Sequence, residues 1–312
     1  MFLNRKRVPM KTIAILIPCY NEALTIAKVI DDFKHELPLA TIYVYDNNST
    51  DDTIKIAQKH GALVKKERLQ GKGNVIRSMF REIEADLYVM IDGDDTYPAE
   101  FVHQLMLPIN EEEAHMVIGD RLSNGSYKDK NTRHLHNFGN NLVRSLINTL
   151  FHSELKDIMS GYRIFSRSYV KNIPINSSGF EIETEMTLHA LDKKLSVVEF
   201  PIDYRDRPQG SFSKLNTFSD GFRVLKTIFW VFKDYRPLTF FFALATFFFL
   251  LSIIIGTPVI IEFVKTAYIN KVPSAILAVG LMLISIISLF SGFILDTVVK
   301  QHRENFELRL KH

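Results

Sequence analysis

Residues 87–98 read LYVMIDGDDTYP, a short apolar run from Leu87 to Ile91 that enters Asp92-Gly93-Asp94-Asp95 without a spacer. An apolar run of this length closed by a polar, glycine-containing turn reads as a buried strand ending at a functional edge. The pattern recurs on both sides. Thr12–Ile17 precedes Pro18-Cys19-Tyr20-Asn21-Glu22, and Thr41–Tyr45 precedes Asp46-Asn47-Asn48-Ser49-Thr50-Asp51. Ala62–Lys65 is a third strand, and Met116–Ile118 is a fifth that runs into Gly119-Asp120-Arg121. Amphipathic helical stretches separate them, the first from about Glu22 through Leu37, and Ser49–Asp52 reads as the start of the next. Such alternation predicts an α/β domain with a largely parallel sheet, whose ligands bind beyond the carboxyl ends of the strands. Four polar turns at that edge make a set that solvated loops alone do not explain.

Two carboxylates flanking one small residue, Asp92 and Asp94, suit a shared hard divalent cation, Mg²⁺ or Mn²⁺, completed by substrate phosphates. A bare D-x-D is common by chance, and its place at a strand end gives it weight. The G-x-x-x-x-G-K-[ST] pattern of a P-loop is absent, and Gln70-Gly71-Lys72-Gly73-Asn74 reads as a phosphate-facing loop of another kind.

Composition divides the chain. Of its 24 Phe, twelve fall between Phe212 and Phe263. Residues 238–261 and 274–295 carry no charged side chain, and as helices they extend about 36 and 33 Å, enough to cross a hydrocarbon core of about 30 Å. Pro258 lies in the last third of the first span, where membrane helices tolerate it. Arg223, Lys226, Lys233 and Arg236 precede the hairpin and Lys300, Arg303, Arg309 and Lys311 follow it, whereas the loop has only Lys265 and Lys271. Eight against two predicts a multi-pass protein of the cell membrane with both flanks, and so the soluble domain and the C-terminus, in the cytoplasm. Between domain and hairpin, Phe218, Phe222, Leu225, Phe229 and Phe232 recur at helical spacing beside basic residues and Trp230, the pattern of a helix lying on anionic lipid. The expected organisation is therefore 1–215 as the soluble domain, 216–236 as the juxtamembrane helix and 237–312 as the hairpin with a short tail. The basic N-terminus before Ile13–Ile17 reads as the approach to a strand, since Pro18 cuts the apolar stretch too short for a signal peptide. One cysteine, Cys19, excludes an internal disulfide, and a net charge of +3 on 312 residues gives no footprint for nucleic acid.

In order, Pro18-x-Tyr20-Asn21-Glu22, Asp46-x-x-Ser49-x-Asp51-x-Thr53, Gly71-Lys72-Gly73 and Asp92-x-Asp94 resemble the family 2 glycosyltransferases of the GT-A fold, a Rossmann-like α/β domain with a mostly parallel sheet. Ser160-Gly161-Tyr162-Arg163 and Arg207-Pro208-x-Gly210-Ser211-x-Ser213-Lys214 narrow the resemblance to polyprenyl-phosphate glycosyltransferases, the group of the dolichol-phosphate mannose synthases and the bacterial undecaprenyl-phosphate sugar transferases. The resemblance implies that Pro18, Tyr20, Glu22 and Asp46 hold the base and ribose of a nucleotide-sugar donor. It implies further that Asp92 and Asp94 hold the metal and diphosphate, that Arg207 and Lys214 close over the diphosphate, and that Arg121 and Arg133 take the phosphate of the lipid acceptor. Two departures stand out. The more usual D-A-D-L-Q-[DH]-P is here Asp92-Gly93-Asp94-Asp95-Thr96-Tyr97-Pro98, and the spacing from Arg207 to Lys214 is one residue longer than in the mannose synthases.

The expected chemistry is metal-dependent, inverting transfer of one sugar, from UDP-GlcNAc or UDP-glucose before GDP-mannose, onto undecaprenyl phosphate for cell-envelope glycans. A phosphomonoester is already ionised at pH 7, so the acceptor needs positioning more than a general base. Asp157 is a candidate for orienting that phosphate or the sugar, and Glu181 and Glu183 for binding sugar hydroxyls. Two alternatives are weighed against this. A processive glycan synthase would carry Q-x-x-R-W, and the only Trp follows Phe229. A non-catalytic lipid-phosphate adaptor has no use for Asp92, Asp94 and Arg207 together. The oligomeric state, homo-oligomer included, stays open.

Overall fold

The computed structural model describes residues 11–124, 134–179, 181–208 and 220–310. It divides into two units, residues 1–221 and 222–312. In the first, seven strands form one sheet: β1 (Ile13–Cys19), β2 (Thr41–Asp46), β3 (Leu63–Lys66), β4 (Leu87–Met90), β5 (Met116–Asp120), β6 (Arg163–Ser166) and β7 (Val197–Pro201). Their order is β3-β2-β1-β4-β6-β5-β7, parallel throughout except for β6, which runs antiparallel to both neighbours. Both β4 and β5 are buried along their whole length, as continuous apolar runs covered on both faces must be.

The helices bury one stripe each. In α1 (Ile26–Glu36) the stripe is Ile26, Val29, Ile30 and Phe33, spaced three and four apart. α2 (Thr53–Lys59) follows the β2 turn and α3 (Lys72–Glu82) follows β3, and α4 (Val102–Asn110) packs Val102, Leu105, Met106 and Ile109 inward. Next come α5 (His134–Phe151), α6 (Arg167–Asn172) and α7 (Ile182–Asp192). At the core's centre the ring of Tyr162 meets Phe33 and Tyr97 edge-on, at 6.0 and 5.8 Å between centroids.

The five strands expected from sequence are all present, and β6 and β7 are additions. The antiparallel run of β6 has a consequence for the site. Its leading loop, residues 157–162, arrives at the same sheet edge as the turns that leave β1, β2, β4 and β5.

The second unit contains most of α8 (Asp220–Tyr235), followed by α9 (Pro237–Thr266) and α10 (Val272–Leu310). The last two are long and apolar enough to cross a membrane. They pack through small residues: the Ser252 hydroxyl donates to the Ala278 carbonyl and the Ser285 hydroxyl to the Ala245 carbonyl, both at 2.8 Å. A Cβ on Gly292 would lie 2.9 Å from that of Phe241, so this glycine sets how closely the helices approach. Pro258 is accommodated inside α9. α10 continues as helix through the charged tail, and the Arg303 guanidinium donates to the carbonyl of Tyr235 at 3.3 Å.

Candidate active site

Asp92-Gly93-Asp94 leaves β4 at the carboxyl edge. A Cβ at position 93 would stand 2.8 Å from Cys19 Sγ at the end of β1, which explains glycine where alanine is more usual. Asp95 takes a left-handed backbone (φ 58°) and is held by Lys28 of α1 at 2.8 Å. The Asp94 carboxylate is buried. One oxygen accepts from the Thr96 hydroxyl at 2.6 Å, and the other pairs with Arg207 Nη2 at 2.5 Å. Burial, with the charge of Asp92 added, raises its pKa even against Arg207. One side of Asp92 pairs with Lys72 Nζ at 2.5 Å; the other lies against Gly161, where a Cβ would come within 2.4 Å of Oδ2.

Lys72 comes from the Gly71-Lys72-Gly73 turn that opens α3. A Cβ on Gly71 would lie 2.0 Å from the Ser178 carbonyl oxygen, and one on Gly73 would lie 2.1 Å from that of Ser177. Both glycines are thus needed to let residues 177–178 pass. Asn47 fixes this turn from the β2 side, its side-chain oxygen accepting the Gly71 N–H at 2.6 Å. Lys72 is thereby wedged between Asp92 and Glu183, 2.6 Å from the latter. Burial disfavours its charge, but the two carboxylates outweigh that and raise its pKa above the ordinary lysine value. Glu183, a candidate for sugar hydroxyls, is buried and serves as this lysine's second partner.

The β1 and β2 turns lock together. Asn21, at φ 53°, donates its N–H to Ser49 Oγ at 2.9 Å and accepts from the Thr50 N–H at 2.8 Å. The Glu22 N–H reaches Thr53 Oγ1 at 2.9 Å. Asp46 is fully buried at the end of β2. Its Oδ2 accepts the Ser49 N–H at 3.1 Å, while Oδ1 has no hydrogen-bond partner. A buried carboxylate oxygen without a donor is costly, and a ligand N–H or O–H would satisfy it.

On the other flank Arg121 follows β5 and is bound bidentately by Asp157, Nε to Oδ2 at 2.6 Å and Nη2 to Oδ1 at 2.8 Å. Asp157 is buried, and Arg121 outweighs that burial to hold its pKa below the ordinary carboxylate value. The guanidinium carbon lies 5.9 and 5.6 Å from the ring centres of Tyr97 and Tyr204. Arg163 is not a ligand group at all: fully buried, it donates to the carbonyls of Ser160 (2.9 Å) and Ile158 (2.7 Å) and to Thr187 Oγ1 (2.9 Å), stapling the 157–162 loop.

The structure thus gathers Asp92, Asp94 and Arg207 at one turn, Asp46 beside the β1–β2 turns that carry Pro18, Tyr20 and Glu22, and Arg121 with Asp157. Arg133 and Lys214 lie outside the described residues. Lys72 was legible only as a loop residue, and its pairing with Glu183 spans 111 positions. Among the described residues no cluster of three or more His, Cys, Asp or Glu side chains forms a metal cage. Two carboxylates from one turn, one of them with its pKa raised by burial and by its neighbour, do fit Mg²⁺ or Mn²⁺, which take one or two protein carboxylates and fill the rest with phosphate and water.

A glycosyl transferase family 2 domain matches residues 14–173. Glycosyltransferase AglJ of Haloferax volcanii is 30% identical over 296 residues, 95% of this chain and 96% of that protein. The dolichyl-phosphate hexose transferase of the same organism is 27% identical over 217 residues, 69% of this chain and 92% of that one. Glucosyl-3-phosphoglycerate synthase of Mycobacterium tuberculosis shares the fold, with a TM-score of 0.55 at 22% identity over 70% of this chain and 79% of its own. Its complex with Mn²⁺ and UDP-glucose gives 0.51 at 24% identity over 64% and 73%. The chain belongs to glycosyl transferase family 2. It is a glycosyltransferase with a GT-A-like α/β domain and two long apolar C-terminal helices.

Proposed function

We propose that this enzyme transfers a single sugar from a nucleotide-diphosphate sugar to a polyprenyl phosphate, with inversion at the anomeric carbon. The observation that carries the reading is the acidic pair Asp92 and Asp94 flanked by two cations, Lys72 and Arg207, at the carboxyl edge of the sheet. Such a site suits a leaving diphosphate. The two membrane-length helices in the same chain, and a relative named for dolichyl phosphate, support a lipid acceptor.

An oxygen of the acceptor phosphate attacks the anomeric carbon as the bond to the donor's diphosphate oxygen breaks, and the nucleoside diphosphate departs with the electron pair. A divalent ion held by Asp92 and Asp94 would supply Lewis-acid stabilisation of the charge gathering on that diphosphate. Arg207, with Lys214, adds charge-assisted hydrogen bonds there. Pro18, Tyr20, Glu22 and Asp46 receive the base and ribose. Arg121 and Arg133 orient the acceptor, whose second pKa of about 6 leaves it ionised at neutral pH. The commitment of Asp157 to Arg121 accords with a reaction that needs no general base.

The favoured donors are UDP-GlcNAc and UDP-glucose, with GDP-mannose next and undecaprenyl phosphate as acceptor. The UDP-glucose complex of the mycobacterial relative supports a uridine donor. The distribution of Lys and Arg around the hairpin supports a cytoplasmic side of the cell membrane for residues 1–215 and the tail. The test is a donor panel with undecaprenyl phosphate and mass spectrometry of the lipid. The mass of one hexose or one N-acetylhexosamine residue added to the lipid phosphate is expected. A polymer, or nucleotide release without a lipid product, refutes the reading.

A further inference from the structure

We propose that Glu199, on the edge strand β7, is a positioning residue for the acceptor phosphate and acts through Asp157 on Arg121. The inference rests on the acceptor reading above and adds to it the element that holds the arginine. β7 pairs in parallel with β5, and Glu199 stands opposite Ile118, just before the turn that carries Arg121. The Glu199 carboxylate spends both oxygens on the main chain of the loop leading to β6. Oε2 accepts the Lys156 N–H at 2.7 Å, and Oε1 accepts the Asp157 N–H at 2.8 Å.

Asp157 is therefore held at its main chain by β7 while its side chain holds Arg121. That second grip has three points, because Oδ2 also accepts the Arg121 backbone N–H at 3.1 Å. The contacts close a ring from β5 through Arg121, Asp157 and Glu199 to β7 and back to β5. Asp120 shapes the same turn, accepting the Leu122 N–H at 2.8 Å. A guanidinium recognises phosphate by the direction of its fork, so a residue that fixes this direction contributes without touching the ligand. Here the capped N–H and the orienting carboxylate belong to the same residue.

The test uses the full-length protein in detergent and two probes of equal chain length, a short polyprenyl phosphate and the corresponding polyprenol. Their affinities are compared for wild type, Glu199→Ala, Glu199→Gln and Asp157→Asn, with nucleotide-sugar binding measured separately without lipid. Glu199→Ala is expected to weaken phosphate binding about tenfold, the size of one charge-assisted bond partly lost. Its binding of the alcohol and of the donor should stay within about twofold on the same scale. Glu199→Gln keeps one acceptor oxygen and is expected to fall between. On the Asp157→Asn background Glu199→Ala should add little, because coupled residues are non-additive. Equal losses for phosphate, alcohol and donor, or fully additive effects, overturn the inference. If wild type itself fails to prefer the phosphate over the alcohol, the acceptor reading falls, and the inference falls with it.

Discussion

Replacing Gly161 with alanine probes the acidic turn without touching a carboxylate. The added Cβ would stand 2.4 Å from Asp92 Oδ2 and 2.9 Å from its Cγ. Ordinary contact begins at 3.4 Å, so the shortfall is about 1.0 Å (3.4 − 2.4). The glycine's own loop cannot yield. Its N–H donates to the Tyr97 hydroxyl oxygen at 2.9 Å, Tyr162 beside it is fully buried, and Arg163 is fixed by three hydrogen bonds to oxygen and one to the Met116 sulfur. Asp92 must move instead, and its bond to Lys72 goes with it. Overpacking of this kind costs about 1–3 kcal/mol. In a unit of roughly 200 residues that is a fall in Tm of ~2–12 °C. A displacement near 1 Å at a reacting site also costs about a hundredfold in rate. Gly280→Ala is the control, since a Cβ there meets nothing within 4 Å. Thermal unfolding and nucleotide release, measured on both variants in detergent, decide it. Wild-type turnover and melting in Gly161→Ala would refute the packing of residues 160–163 against Asp92.

Asp92→Ala or Asp94→Ala should abolish transfer while the protein stays folded by circular dichroism, and EDTA should mimic them; activity surviving in EDTA-treated membranes counts against the metal assignment. Arg207→Ala should weaken nucleotide-sugar binding in a lipid-free titration by about one to two decades, whereas Arg121→Ala and Arg133→Ala should raise the KM for polyprenyl phosphate with donor binding nearly intact. A cysteine at Asn270 should be labelled from outside intact cells by an impermeant reagent and one at Asn305 should not, the reverse pattern being fatal to a cytoplasmic site. Asp157→Asn should lower Tm at pH 7. Because the folded-state pKa of Asp157 is depressed, its stabilisation is present above the unfolded carboxylate pKa and lost as pH falls through the folded one, so the Tm gap should close in acid.

The parallel strands were legible because each is a local signal, an apolar run ended by a polar turn. β6 was not. Its four residues include an arginine, and it is a strand only because Met90 and Ile118 flank Arg163 in register. Within Ser160-Gly161-Tyr162-Arg163 the arginine is the staple of its own loop, through bonds that only the folded chain brings together. β7 alternates too weakly to be distinguished from a helix end, since its burial depends on pairing with β5. The tail after residue 295 continues as helix because no glycine or proline interrupts it before Leu310.

The pairing of charges lay further from view, because each pair joins distant segments: Lys72 with Asp92 and Glu183, Arg207 with Asp94, Arg121 with Asp157. No window of sequence holds two members of such a set, but a physical rule constrains it. A carboxylate taken out of water at a strand end needs a cation or several hydrogen bonds. Asp94 and Asp157 are buried, so each demanded a partner from the few basic residues in the turns and loops of this edge. Applied to the sequence, that demand says that such partners exist, but not which of the basic residues in these turns serves which acid. The assignment comes from Gly71, Gly73 and Gly161, whose missing side chains admit a backbone or a carboxylate, and those three absences become readable only when the chain is folded.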